Sequence, residues 1–339
     1  MLTRENFRGC VIGQSVADAL GMPVERQSPA QCQDYIQQLR AGKVGHVHHP
    51  LYAFGQYTDD SQLMRELLSS FVACEDFEPE DYARRIAKIH ITYQIIGCSS
   101  ASRKVASRLL EGTAWNEAGT PAPYARNGSA MRAAPIGLFF NSYPEQLFQA
   151  ACDQAQITHQ DPRSLAGSVA IASAVAFVVQ CNELVHTQFL NYLSQQIEPL
   201  DVSFSKDILR LADWLELPFE KALQEIAVIG NPPPSLDDRE GITPWIIPSV
   251  LWSLYSFLKS PDSYIEAVYT AASGGGDADT TAAMAGAISG AYLGENAVPT
   301  AIAYRLTDQG RWGYEPLLAL LYQRCLRRDA ANGCDYAQS

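Results

Sequence analysis

The sequence predicts an all-α protein, and three observations carry that expectation. Apolar residues recur at helical spacing through most of the 339 residues. No stretch of alternating β-branched residues bounded by turn signals occurs. Three segments carry small residues on the spacing that lets helix backbones approach closely.

Taken in order, the first helix carries Gly9, Gly13 and Ala17 and ends at Gly21, with Pro23 beyond it as a stop. The second begins in Thr58-Asp59-Asp60-Ser61 and continues through Leu63, Leu67 and Phe71 at i, i+4 and i+8. Pro121-Ala122-Pro123 marks a loop. No charge lies between Arg163 and Glu183, yet Ala, Ser, Gly and Val dominate there, which would insert poorly into a bilayer. Leu165 to Val179 is therefore expected to be a buried helix at the centre of the fold. Ile208, Leu211 and Leu215 mark another helix, and Pro232-Pro233-Pro234 another loop. The third small-residue helix carries Gly286, Gly290 and Gly294, and a last helix runs through Leu317, Leu320, Leu321 and Leu326. Neither proline-rich break has a compositional shift beside it, so residues 1–339 are expected to form one domain. Each helical Gly costs roughly 1 kcal/mol relative to Ala, and a chain that accepts this repeatedly needs tight central packing.

Hydrophobic residues make up 47% of the chain and charged residues 18%, enough apolar mass for a large core and too little charge for disorder. A net charge of −12 and the absence of a basic run argue against a nucleic-acid-binding surface. An anionic ligand would have to be met by local cations or helix N-termini. The 8 cysteines show no C-x-x-C spacing and read as reduced core thiols. The segment Met1 to Asn6 has no apolar core of a signal peptide, and the expected location is cytoplasmic.

The chemistry concentrates in two acidic motifs about 220 residues apart, Thr58-Asp59-Asp60-Ser61 and Asp277-Ala278-Asp279-Thr280. The second follows Gly274-Gly275-Gly276, a run suited to a tight turn. Carboxylates this close resist ionising together, and both motifs make sense if the fold brings them together around cations. Oxygen-only ligands favour Mg²⁺ or Mn²⁺ over Zn²⁺. The plainer alternative is that Asp and Thr merely cap their helices. The small-residue helices adjoin acids, Asp18 and Glu25 in one case and Asp277 and Asp279 in the other, so close packing would bring those acids together.

Five blocks in order resemble the ADP-ribosylglycohydrolase family, which includes dinitrogenase reductase-activating glycohydrolase and the ADP-ribosyl-acceptor hydrolases. They are Gly9 to Gly13 through Asp18 to Glu25; Tyr57-Thr58-Asp59-Asp60-Ser61, with Ser61 where the family usually has Thr; Asn127-Gly128-Ser129-Ala130-Met131-Arg132 with Ala133 to Gly137; Thr158-His159-Gln160-Asp161-Pro162; and Gly275-Gly276-Asp277-Ala278-Asp279-Thr280. The resemblance implies an orthogonal helical bundle with a central cleft holding two Mg²⁺ ions, for which Mn²⁺ could substitute. Thr58, Asp59 and Asp60 would bind metal from one side, and Asp277, Asp279 and Thr280 from the other. Of the two acids assigned to catalysis, Glu25 would deliver water and Asp60 would hold the metals.

Asn127, Gly128 and Ser129 are expected to approach a diphosphate, or to form an ordinary Asn-Gly turn. His159 would contact a ribose or cap its helix. Gly97 and Ser99 fall where the family has a substrate loop, and Gly276 is assigned to the substrate as well. His46, His48 and His49 lie in a Gly-containing loop without a nearby carboxylate and read poorly as a metal site. The implied reaction is Mg²⁺-dependent hydrolysis at C1″, releasing ADP-ribose from an acceptor, foremost an arginine or serine side chain. Two alternatives stay open: hydrolysis of O-acetyl-ADP-ribose or ADP-ribose phosphate, and a catalytically silent ADP-ribose-binding or structural relative.

Overall fold

The structure, a computed structural model, describes residues 2–43, 51–92, 94–230, 240–311 and 314–331. Its described elements are helical, and only isolated bridges, such as Ile242 with Gly276, show strand-like pairing. His46, His48 and His49, the Pro232-Pro233-Pro234 break and Cys334 lie outside the described residues; Cys10, Cys32, Cys74, Cys98, Cys152 and Cys181 are free thiols.

Sixteen α-helices appear among the described residues. The first half contains α1 (Arg4–Gly21), α2 (Pro29–Arg40), α3 (Asp59–Cys74), α4 (Pro79–Ile91), α5 (Ser100–Leu110), α6 (Ala134–Phe139), α7 (Pro144–Gln156) and α8 (Pro162–Val178). The second contains α9 (His186–Ile197), α10 (Val202–Leu215), α11 (Phe219–Ala227), α12 (Ile246–Lys259), α13 (Tyr264–Ala272), α14 (Ala278–Leu293), α15 (Thr300–Ala303) and α16 (Tyr314–Ala331).

The centre is built from the small-residue helices. Every residue of α1 from Gly9 to Gly21 is buried, as is every residue of α14 from Ala278 to Ala291 and nearly all of α8. A helix buried on all sides cannot be amphipathic, which is why α8 resembles a membrane span in composition. Among the described residues no helix is long and apolar enough to cross a membrane.

Helices α1 and α14 run antiparallel with their backbones in contact. A Cβ on Gly9 would lie 2.2 Å from the Gly290 carbonyl oxygen, and one on Gly13 would lie 2.7 Å from that of Gly286. At the far end, a Cβ on Gly21 would lie 2.5 Å from Asp279 Cα. This register carries the C-terminal end of α1 onto the first turn of α14. Tyr264 of α13 donates to the Gly13 carbonyl (2.6 Å), and Arg8 bonds Glu295 (2.6 Å) and Glu315 (2.7 Å), tying α1 to the end of α14 and to α16.

Leu63, Leu67 and Phe71 of α3 are buried as their spacing predicts, and Ile208 and Leu211 of α10 likewise. In α16 the helix is where the sequence places it but the buried face differs. Tyr314, Leu318, Leu321 and Cys325 point inward, while Leu320 is 46% exposed. A Leu-Leu-Ala-Leu-Leu run supports either face, and the inner one is set by Tyr314, which donates to the Ser61 carbonyl at 2.6 Å.

Gly290→Ala tests the central packing, because its Cβ would lie 2.0 Å from the Gly9 carbonyl oxygen. Backbone would have to shift on both helices. We expect a net loss of about 1–3 kcal/mol in urea denaturation, the overpacking penalty exceeding the roughly 1 kcal/mol propensity gain.

Candidate functional site

Both acidic motifs open a helix, yet neither caps it. Thr58 stands at the N-cap of α3 and Asp277 at that of α14, and neither side chain accepts a bond from its own first turn. The capping of α3 comes from another helix. Asp18 of α1 accepts the Thr58 N–H (3.1 Å), the Ser61 N–H (3.1 Å), the Thr58 hydroxyl (2.9 Å) and the Ser61 hydroxyl (2.7 Å). Asp59 and Asp60 are thereby freed from any capping duty. Ser61 serves Asp18 through its hydroxyl, so Ser does here what Thr would do.

The second motif is aimed by its turn. Gly275 and Gly276 have φ of +68° and +67°, which suits residues without Cβ. Asp277 Oδ2 accepts from Asn127 Nδ2 (2.6 Å), which also reaches Ser249 Oγ (2.9 Å). Gly276 accepts from the Arg26 N–H (2.6 Å) and donates to the Gln27 carbonyl (2.9 Å), drawing in the loop that carries Glu25. Carboxylate oxygens of Glu25, Asp277 and Asp279 consequently lie within 4.8 Å of one another.

Asp59, Asp60, Asp277, Asp279 and Thr280 line a cleft of about 700 Å³, and Glu25, partly exposed, lines it too. Thr58 is buried behind them, its hydroxyl 2.9 Å from both Asp18 Oδ1 and Asp60 Oδ2. Gly97, φ +87°, holds the cleft wall against Asp59, and a Cβ there would lie 2.9 Å from Asp59 Oδ1. Ser99 lines the cleft and accepts from the Ser102 N–H as the cap of α5. Asn127, Gly128 and His159 also line the cleft, Asn127 directly beside Asp277. Ser129 and Gly276 do not face the cleft. Ser129 is buried with its hydroxyl on the Ser164 carbonyl, and Gly276 acts through its backbone.

The electrostatics are unfavourable without compensation. Burial, and then the neighbouring acids, push the Asp59, Asp60 and Asp279 carboxyls well above the usual range. Burial raises Asp18 to about 6, opposed by its four hydrogen bonds. Asp60 Oδ1 is buried, and among the described residues no protein group bonds it. An orphaned carboxylate oxygen among Asp and Thr oxygens fits a hard divalent cation, whose charge would offset repulsion that otherwise has to be relieved by protons. Beyond the acids, Lys104, Arg108, Arg126 and Arg132 line the same cleft. The local cations that an anionic ligand needs in a chain of net charge −12 are therefore inside the site.

The family model for ADP-ribosylglycohydrolase matches residues 1–331. The chain belongs to the ADP-ribosylglycohydrolase family. It is a glycosidic-bond hydrolase. Its relatives include an uncharacterised protein of Archaeoglobus fulgidus, 31% identical over 85% of this chain and 87% of that protein. ADP-ribosylhydrolase ARH3 of Gallus gallus is 29% identical over 86% of each. ADP-ribosyl-[dinitrogen reductase] glycohydrolase of Rhodospirillum rubrum is 24% identical over 86% of this chain and 87% of its own. A solved structure described as an ADP-ribosylglycohydrolase-related protein complex shares the fold, with TM-score 0.66 at 21% identity, covering 96% of this chain and 98% of that one.

Sequence reasoning placed Asp18 near the site but gave it no part in it. A buried acid in an otherwise small and apolar helix was the available signal. His90, Arg126 and Arg132, all cleft-lining, carried no comparable signal because their roles depend on neighbours remote in sequence.

Metal-free enzyme should report the acidic cluster through pH. A carboxyl whose folded pKa exceeds its unfolded value near 3.9 makes the native state bind more protons, so its contribution to stability falls as pH rises. For Asp18 that loss spans roughly pH 4 to 6, and Asp59, Asp60 and Asp279 shift in the same direction. In EDTA, melting temperature should therefore rise as pH is lowered through about 6. Saturating Mg²⁺ or Mn²⁺ should raise it at pH 8 and flatten the dependence, because a ligand of the native state stabilises it by mass action. A transition at pH 8 that ignores both metal and chelator would exclude a cation at this cluster.

Proposed function

We propose that the enzyme is a Mg²⁺-dependent hydrolase that cleaves the C1″ glycosidic bond of ADP-ribose attached to an acceptor, foremost an arginine or serine side chain of a protein, with residues 1–339 working as one catalytic domain. The observation that carries this reading is that Glu25, Asp59, Asp60, Asp277 and Asp279 line one cleft, with Glu25, Asp277 and Asp279 oxygens within 4.8 Å of one another, and that Lys104, Arg108, Arg126 and Arg132 line the same cleft. The printed names of the relatives, an ADP-ribosylhydrolase and an ADP-ribosyl-[dinitrogen reductase] glycohydrolase, support the substrate class. The cleft's volume is in the range of small-molecule sites.

Two Mg²⁺ ions would be held by Thr58, Asp59 and Asp60 on one side and Asp277, Asp279 and Thr280 on the other, with Mn²⁺ as a substitute. Bound there, divalent cations supply charge that polarises and orients substrate hydroxyls. Each protein group has a separate task. Asp18 holds the Thr58 hydroxyl and the first turn of α3, and Asn127 holds Asp277. Glu25, partly exposed and bridged to its neighbour Arg26 at 3.7 Å, would take a proton from water. As the water oxygen bonds C1″, the bond to the acceptor breaks, and the acceptor departs with a proton. The acids that hold cations cannot take up that proton without releasing them, which is why a separate carboxylate is needed.

Retention of a buried carboxylate cluster supports catalysis over a silent binding role, since such a cluster is costly and serves no packing purpose. Turnover of arginine- and serine-linked ADP-ribosyl peptides, beside O-acetyl-ADP-ribose, with and without Mg²⁺, tests the reading directly. Failure on all of them with intact ADP-ribose binding would leave the silent alternative.

Substitutions separate the roles of the acids. Asp60→Asn and Asp279→Asn should weaken metal binding and abolish hydrolysis together. Glu25→Gln should retain ADP-ribose binding in calorimetric titration while kcat falls by roughly 10²–10⁴ in single-turnover assays. Because Glu25 lies within 4.8 Å of Asp277 and Asp279 oxygens, the competing outcome is loss of metal as complete as in Asp60→Asn, which would make it a ligand first.

A further inference from the structure

Arg132 belongs to the third sequence block, lines the cleft, and is buried to 1% exposure with no carboxylate within ion-pair distance among the described residues. Its Nε donates to Gln154 Oε1 (3.0 Å), and its Nη2 donates to the Gln154 carbonyl (3.0 Å) and to Thr158 Oγ1 (2.8 Å). Gln154 Nε2 is committed to the Ser129 carbonyl (2.9 Å), which fixes the amide so that its oxygen faces the guanidinium. Thr158 Oγ1 has one further contact, His159 Nδ1 at 2.8 Å.

The direction of this chain follows from its first member together with the acceptors in reach of the Thr158 proton. A guanidinium has donors only, so Thr158 Oγ1 accepts from Arg132. Its own proton then has one acceptor within reach among the described residues, His159 Nδ1. With Nδ1 accepting, the neutral ring carries its proton on Nε2. That edge faces the cleft beside Gly128, where a Cβ would lie 3.1 Å from His159 Cε1 and 3.6 Å from Nε2. No described protein group bonds Nε2.

We propose that Arg132, acting through Thr158, is a positioning residue that locks His159 as a neutral Nε2–H donor aimed into the cleft, selecting for an acceptor oxygen of the bound ligand, the chemistry a phosphoryl group offers. The ligand half of this inference rests on the ADP-ribose reading above. Burial, then the nearby Arg132 and Arg126 charges, hold the His159 ring at about 3, so it stays neutral across the working range. The ring of Tyr124, stacked at 5.8 Å and 22°, keeps His159 in plane. His90 provides an internal contrast. Its Nδ1 sits 2.7 Å from the Ile86 carbonyl, which can only accept, so His90 carries its proton on Nδ1.

Long-range ¹H–¹⁵N correlation spectra of histidine-labelled protein test the lock, with His159→Gln assigning the resonance. The expected wild-type pattern is Nε2–H for His159 and Nδ1–H for His90. Thr158→Val should release the His159 preference and weaken ADP-ribose binding about tenfold, the effect of one hydrogen bond. Thr158→Ser should restore both, with the His90 pattern unchanged throughout. Wild-type His159 protonated on Nδ1, or a Thr158→Val spectrum identical to wild type, would overturn the lock. If Thr158→Val does not fold, the wild-type and Thr158→Ser spectra still decide it. A released tautomer with unchanged ADP-ribose affinity would overturn the role in binding. Absence of ADP-ribose binding in wild type would overturn the functional reading and the ligand half built on it, leaving the tautomer result standing.

Discussion

The contact on which the rest of the molecule depends is the backbone-to-backbone packing of α1 against α14. Glycine at positions 9, 13, 286 and 290 removes the side chains that would hold the axes apart. Once the helices touch, their antiparallel register is set, because each glycine faces a specific carbonyl across the interface. The end of α1 is then delivered onto the start of α14. A helix pair separated by ordinary side chains, with axes 8–10 Å apart, would leave the acids of the two ends farther from one another. The helical cost of glycine is offset by a geometry that no larger residue permits.

That geometry creates an electrostatic problem and contains its partial solution. Asp18, Asp60 and Asp279 are buried and Asp59 lies beside them in the cleft, and Asp59, Asp60 and Asp279 are further raised by neighbouring carboxylates, Asp18 and Asp277 among them. The fold supplies directed hydrogen bonds where it can: four to Asp18, and one from Asn127 to Asp277. Among the described residues it leaves Asp60 Oδ1 without any. Helix capping by a residue of another helix is the key economy here. Asp18 satisfies the first turn of α3, so the motif's own side chains are available to the cleft.

The cleft has two characters in one cavity. The acids of α3 and α14 line it together with the cations Lys104, Arg108, Arg126 and Arg132. A ligand carrying both hydroxyls and phosphates would match both. Neutral histidines add direction between the charged groups: burial and nearby cations lower both His90 and His159, and their hydrogen bonds assign opposite ring protons.

The sequence by itself determined the helical class, the three small-residue helices and the two acidic motifs, because helical periodicity and the steric identity of glycine are local properties. It also placed Asp59, Asp60, Asp277 and Asp279 as one chemical set. What it left open was decided by tertiary structure. Asp and Thr at a helix start look the same whether they cap or face a ligand; the difference is that Asp18, some 40 residues away, takes over the capping. The inward face of α16 was ambiguous in a run of leucines until Tyr314 found the Ser61 carbonyl, 253 residues distant. Arg132 showed only as part of a motif, since its effect on His159 passes through a hydroxyl 26 residues further along the chain. Hydrogen bonds between remote segments have no sequence period, so only the folded chain assigns their direction.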